Sequence, residues 1–250
     1  MNRNWKTAVV AGVLVTGAAA LTGPPAAARG GEVLWGTGVI VPGREGTVEV
    51  EGAGRAGAGG AVTLTAPRGT RVTGTPLVAP GYRGSVAADG RTATYRVTGE
   101  GAGARALPFV LALPADAVPG TRLRDCALRV TDARGVRRAA GRCVVTVGLA
   151  APALTRPLSG VPLAAEPEIS GTAHPGAQVT VRDKDEREAC SATAAADGTW
   201  SCTPDPASLP PGPNRLQALA SLNGVSATSE QIDISVAGAG RQAWRAVGRQ

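Results

Sequence analysis

Four cysteines, Cys126, Cys143, Cys190 and Cys202, are the residues best equipped for chemistry, as metal ligands, redox thiols or disulfide partners. Zinc sites space their ligands as C-x-x-C or pair them with imidazoles, and this chain has neither that spacing nor more than one histidine. The four thiols instead fall into two close pairs, one in each of two proposed domains. An export signal at the N-terminus sends them to an oxidising compartment, so local pairing is expected, Cys126 with Cys143 and Cys190 with Cys202. If Arg134 and Gly135 form a two-residue turn, Ala133 faces Val136 and the same register sets Cys126 directly opposite Cys143. Opposed strand positions lie within the Cα range a disulfide accepts, and closing a loop of about 17 residues stabilises by about 3 kcal/mol in the chain-entropy account. Cys190 and Cys202 flank a hairpin at near-opposite positions and should cross-link it.

The other chemical candidates are weaker. The run DKDERE at 183–188 offers the carboxylates of Asp183, Asp185, Glu186 and Glu188. A calcium site there is the alternative to a charged hairpin loop, which is the expectation because Arg182, Lys184 and Arg187 neutralise the carboxylates. His174 precedes Pro175 in a predicted turn and has no nucleophile or acid near it in sequence, so no catalytic triad is legible. No cofactor, no metal and no catalytic residue is expected.

The elements that carry these residues read as short β-strands. Runs at 33–35, 39–41, 47–50, 62–66, 72–75, 84–87, 92–97 and 108–113 are rich in β-branched residues and bounded by Gly, Pro or Asp-Gly. Asp89-Gly90 marks a hairpin. The tract GAGRAGAGG at 52–60 is expected to be a mobile surface loop that packs no core. It is followed by a strand and lacks the lysine of a phosphate loop, so that reading fails. Four prolines at 152, 157, 162 and 167 mark an extended linker over 149–166, part of which, near 158–163, could open the second domain.

The clearest pattern lies at 167–236. Ser170, Gly171, Thr172 and Ala173 are followed by Pro175, Gly176, Ala177, Val179 and Val181, and then by the ADGTW turn at 196–200. This stretch resembles the bacterial Ig-like modules found in tandem in secreted and cell-surface proteins; residues 31–148 resemble them more loosely. The resemblance implies an all-β chain of two Ig-like β-sandwich domains in tandem, at 31–148 and 167–236. It places Trp200 in a core and implies adhesion, spacer or scaffold roles rather than catalysis.

The N-terminus is expected to be a cleaved signal peptide over 1–28: Arg3 and Lys6, an apolar run, then small residues to Ala28. That run is short for a membrane span. Residues 237–250 read as a flexible basic tail. With 26 basic against 19 acidic residues the formal net charge is +7. The arginines look dispersed in sequence and aromatics amount to only 3%, which argues against nucleic-acid binding. The expected protein is a secreted monomer, at the cell wall or free, whose partner is an extracellular protein or a cell-wall glycan. A carbohydrate-binding module is the rival, and it requires coplanar exposed aromatics among Trp35, Tyr82, Tyr95 and Trp200. An extracellular enzyme or enzyme inhibitor is the more distant alternative.

Overall fold

Period-two alternation of buried apolar and exposed polar residues runs through almost every strand of the chain and sets its architecture. The computed structural model describes residues 34–99, 106–163, 167–205 and 208–236. The expected signal peptide at 1–28 and basic tail at 237–250 lie outside the described residues.

The first sandwich contains β1 (Trp35–Ile40), β2 (Glu45–Glu51), β3 (Ala61–Thr65), β4 (Arg71–Gly74), β5 (Tyr82–Val86), β6 (Thr92–Val97), β7 (Leu107–Ala112), β8 (Arg122–Thr131) and β9 (Arg137–Val147). They form one hydrogen-bonded ladder in the order β4-β7-β2-β1-β9-β8-β3-β6-β5. Strand β1 is the hinge of that ladder, pairing antiparallel with β2 on one edge and parallel with β9 on the other. The ladder folds over on itself there, so that Tyr95 of β6 meets Phe109 of β7 edge to face, their ring centroids 5.1 Å apart. Both rings are fully buried. The Tyr95 hydroxyl donates to the Pro108 carbonyl at 2.8 Å and accepts the Leu77 N–H at 2.9 Å. Burial pushes the phenol pKa up, against the Leu77 N–H, which pulls it down.

The tract at 52–60 departs from expectation. It forms a 3-10 helical turn, Ala53–Ala56, whose Ala53 and Ala56 side chains are buried in the first core. Alanine is apolar and small enough to fill the end of a sandwich where nothing larger fits, which a count of glycines does not show.

The second sandwich packs β10 (Ala153–Arg156), β11 (Ile169–Thr172) and β14 (Thr199–Cys202) against β12 (Gln178–Arg182), β13 (Glu188–Thr193), β15 (Gly212–Leu222), β16 (Val225–Thr228) and β17 (Ile232–Val236). Its opening strand is thus 153–156 rather than 158–163, and Leu149 and Leu163 of the expected linker are buried in its core. Gly171 allows this arrangement, because a Cβ there would collide with the Ala153 carbonyl and lie 2.7 Å from the Trp200 ring. One edge of β15 passes from β17, along 212–216, to β16, along 219–222. The Ser229 hydroxyl fills the gap, accepting the Ala218 N–H at 2.9 Å.

Hairpin aspartates fix the registers. Asp89 accepts the N–H groups of Arg91 and Thr92, Asp132 those of Arg134 and Val136, and Asp197 that of Thr199. All three carboxyls are held below the ordinary value. For Asp89 the Arg91 N–H is the main cause, and for Asp197 the Thr199 N–H. For Asp132 desolvation pushes upward but is outweighed by the Val136 N–H and the Arg138 guanidinium. The turn closes between Asp132 and Val136 and so is one residue longer than a two-residue turn at Arg134-Gly135 would give. A bulge at Arg138 restores the expected register from Val130 opposite Ala139 to Cys126 opposite Cys143.

Two outcomes follow from this packing. Tyr95→Phe leaves the Leu77 N–H without its acceptor, and should lower the stability of the first sandwich by about 2 kcal/mol, on the order of 8 °C in its thermal transition by calorimetry. A carboxyl whose folded pKa is depressed stabilises above its unfolded value of about 3.9 and loses that contribution as pH falls through the folded value. Thermal stability should therefore drop below about pH 4, and less steeply in an Asp89→Asn, Asp132→Asn, Asp197→Asn variant, whose side chains still accept; equal slopes would refute the assignment.

Candidate interaction surface

Among the described residues no three His, Cys, Asp or Glu side chains converge as a metal site. The sequence candidates are instead spread through turns and cores. His174 Nδ1 lies 2.9 Å from the carbonyl oxygen of its neighbour Pro175. Asp183 is buried rather than displayed: its Oδ1 accepts the N–H groups of Asp185 and Arg187, each at 2.8 Å, and so caps its own turn. Lys184 and, next, Arg187 hold the Asp185 carboxyl below its usual range, and Arg182 pairs with Glu186 at 3.8 Å. A cleft of about 220 Å³ beside this loop is bordered by Asp183, Glu186, Arg182 and Arg215. Asp183 Oδ2 is buried there with no hydrogen-bond partner among the described residues, 3.9 Å from the Arg187 guanidinium.

Cys126 and Cys143 face each other across β8 and β9 with Cα atoms 5.0 Å apart, and Cys190 and Cys202 are 5.9 Å apart. Both pairs stand at disulfide distance. The second differs from the expected hairpin cross-link: Cys190 lies on β13 in one sheet and Cys202 on β14 in the other, so the pair spans the sandwich. The aromatic residues proposed for a sugar platform are split up. Tyr95 and Trp200 are core residues, whereas Trp35 is 43% exposed and Tyr82 is half-buried. Trp35 and Tyr82 lie five strand steps apart, about 24 Å at ~4.8 Å per step, too far for one sugar to stack on both.

The feature the sequence does not disclose is the outer face of the sheet β9-β8-β3-β6-β5. Inward positions of these strands carry Val62, Leu64, Tyr95, Leu128, Val130 and Cys143, so alternation sends their neighbours outward. Strand register then assembles rows across the sheet. One row reads Arg137, Thr131, Ala61, Arg96 and Arg83. The next reads Ala140, Arg129, Thr63, Thr94 and Ser85, with the Thr63 and Thr94 hydroxyls 3.0 Å apart. In the third, Arg142, Ala127, Thr65 and Thr92 lie in line, and Trp35 flanks Arg142 across the parallel ladder.

Arg83, Arg96, Arg129, Arg137 and Arg142 are all exposed, and among the described residues none takes part in an ion pair. No Asp or Glu stands in these rows. The nearest carboxylate at the hairpin end, Asp132, is committed to Arg138. Glutamates of the same sandwich line β2 instead, at Glu45, Glu49 and Glu51. A shallow depression of about 440 Å³ in the arginine face is bordered by Thr63, Thr65, Thr92, Thr131, Arg129 and Arg137. The arginines that look dispersed in sequence are therefore clustered in space. Their signal, an Arg or Thr at every second strand position, needs the order of strands distant in sequence before it becomes a surface.

No curated protein sequence matches this chain. Among solved structures it is similar to the BSP domain of a biofilm associated protein at 17% identity, with a TM-score of 0.30, over 83% of this chain and 30% of that one. The present chain thus spans less than a third of that relative. It is also similar to the FN1-FN3 domains of chicken CNTN1, at 13% identity and TM-score 0.30, over 83% of this chain and 68% of that one. The C-terminal domain of the Streptococcus agalactiae AgI/II polypeptide BspA matches at 7% identity and TM-score 0.29, over 80% and 95%. Residues 158–235, most of the second sandwich, match the family model of the bacterial Ig domain, in a chain whose described residues are all-β and form two sandwiches in succession.

Proposed function

We propose that this protein is exported and acts outside the cell as a non-catalytic interaction module, binding an extracellular protein or cell-wall glycan through the surface of its β-sheets. The observation that carries this reading is the arginine and threonine face of the first sandwich, where five guanidinium groups stand exposed without a carboxylate partner. Exposed, unneutralised charge on a rigid sheet is suited to surface recognition, while the loop carboxylates of Asp89, Asp132 and Asp183 are engaged in holding turns.

Both cysteine pairs support export, because thiols at disulfide distance become cross-links in an oxidising compartment. Among the described residues no helix is long and apolar enough to cross a membrane. The joint between the sandwiches supports fixed presentation of the face. The Asn223 amide donates to the Pro119 carbonyl at 3.0 Å, and Gly120 adopts a φ of 86° with no room for a Cβ, which would sit 2.6 Å from that of Asn223.

Protein recovered from culture medium should begin at Arg29, carry no free thiol under denaturing titration, and migrate as a monomer. Two or more free thiols would break the pairing and reopen a metal role for the cysteines. Incubated with the producing cells' own walls, it should sediment saturably at about 0.15 M salt and progressively less as salt rises, because exposed charges are screened. Retention of the uncleaved chain in the cytoplasm, or hydrolase activity on wall polymers, would overturn the reading.

A further inference from the structure

The outer face of β9-β8-β3-β6-β5 combines three properties that together specify a ligand. The ionised side chains within its three rows are all cationic: Arg83 and Arg96 are directly opposed across β5 and β6, and Arg129 and Arg137 border the depression, while the carboxylates at the margin are engaged, Asp125 with Arg68 and Asp89 with Thr92. Like charges set opposite one another on a sheet repel, and an anion relieves that repulsion. Apart from Ala61, Ala127 and Ala140, its uncharged positions carry hydroxyls, from Thr63, Thr65, Thr92, Thr94, Thr131 and Ser85, which both donate and accept, although that of Thr92 already donates to Asp89. Its shape is open and extends over five strands, about 19 Å at ~4.8 Å per step, which suits a chain molecule better than a small solute held in a closed pocket.

We propose that this face binds an anionic glycan, the guanidinium groups taking its acid groups and the threonine rows its sugar hydroxyls. The inference rests on the interaction-module reading above and names the partner's chemistry. Guanidinium forks match carboxylate and phosphate oxygens equally well in two-point geometry, so uronate and phosphodiester glycans share the required chemistry. A hydroxyl-lined sheet offers sugars what a nucleic acid does not use. Single strands are held by stacking on a series of aromatic rings; Trp35 stands at the β1 margin, and no Phe, Tyr or Trp stands among the outward positions of β3, β6, β8 and β9. The major groove, about 12 Å wide, admits a helix or a two-stranded ribbon, and a face about 19 Å across is too broad to enter it.

The test is a titration of the purified full chain with polygalacturonate, with poly(glycerol phosphate), with neutral dextran and with a DNA oligonucleotide, at several salt concentrations. At least one acidic polymer should bind, more tightly than DNA, and dextran should not. The two acidic arms tell uronate from phosphodiester recognition. The double variant Arg129→Gln, Arg137→Gln should weaken binding about tenfold and lower the slope of log affinity against log salt by about 2, while Arg44→Gln, Arg215→Gln, with the same loss of charge elsewhere, should change it less than about twofold. A Thr63→Val, Thr94→Val variant keeps the charge and should weaken the glycan selectively. Unchanged thermal transitions identify variants that fold.

Equal effects of the two arginine pairs would reduce binding to net charge and overturn the proposal. Tighter binding of DNA would assign the face to nucleic acid. Self-association abolished by Arg129→Gln, Arg137→Gln would assign it to a second copy of the chain. Wall sedimentation that persists in that variant would refute this face while leaving the interaction module intact, whereas loss of all wall and polymer binding by the unaltered chain would remove both.

Discussion

Tyr95 is the one side chain in the first sandwich that spans from sheet to sheet and is also tied at its far end. Only one Phe and two Tyr occur in the whole chain. The rest of this core is Val, Leu, Ile and Ala, which meet near the middle of a sandwich about 10 Å deep without crossing it. With its ring against Phe109 and its hydroxyl fixed by Pro108 and Leu77, Tyr95 sets where β6 sits relative to β7. That position is inherited by β5 and β3, which pair with β6, and through β3 by β8 and β9. The arginine rows on the outer face are in register because this inner contact is.

The second sandwich meets the same shortage with Trp200. Among the described residues its buried indole nitrogen has no hydrogen-bond partner, at a cost of about 1–3 kcal/mol. Burying about 200 Å² of ring at ~25 cal/mol per Å² contributes about 5 kcal/mol, so apolar burial exceeds the cost of the unpaired N–H. Gly171 is where the sequence makes room for the ring, which explains why the S-G-T-A strand and the turn before Trp200 have to occur together.

Much of this was legible because short-range signals carry it. The aspartate turns at 89 and 197, the opposition of Cys126 and Cys143, and the strand runs all depend on residues close in sequence, where alternation and turn chemistry suffice. What was missed depends on partners far away. Ala53 and Ala56 are core residues only because β3, β8 and β9 surround them. Cys190 and Cys202 are twelve residues apart, but β13 turns toward β12 and β14 toward β11, so a local hairpin becomes a link between sheets. The arginine face is the extreme case, since its five members come from β5, β6, β8 and β9 and acquire meaning only through the pairing order.

Composition explains why the cations of this chain are arginines, but it does not explain where they stand. Outward positions on a sheet are free of packing constraints, and a sequence indifferent to charge would mix signs there to gain cross-strand attraction. The chain has the glutamates to do so, and places Glu45, Glu49 and Glu51 on β2 instead. Arg83 opposite Arg96 is a repulsive pair that a single change to Glu or Thr would relieve. Such a pair is a local cost in stability, and the proposed anion, shared among the guanidinium groups, would offset it.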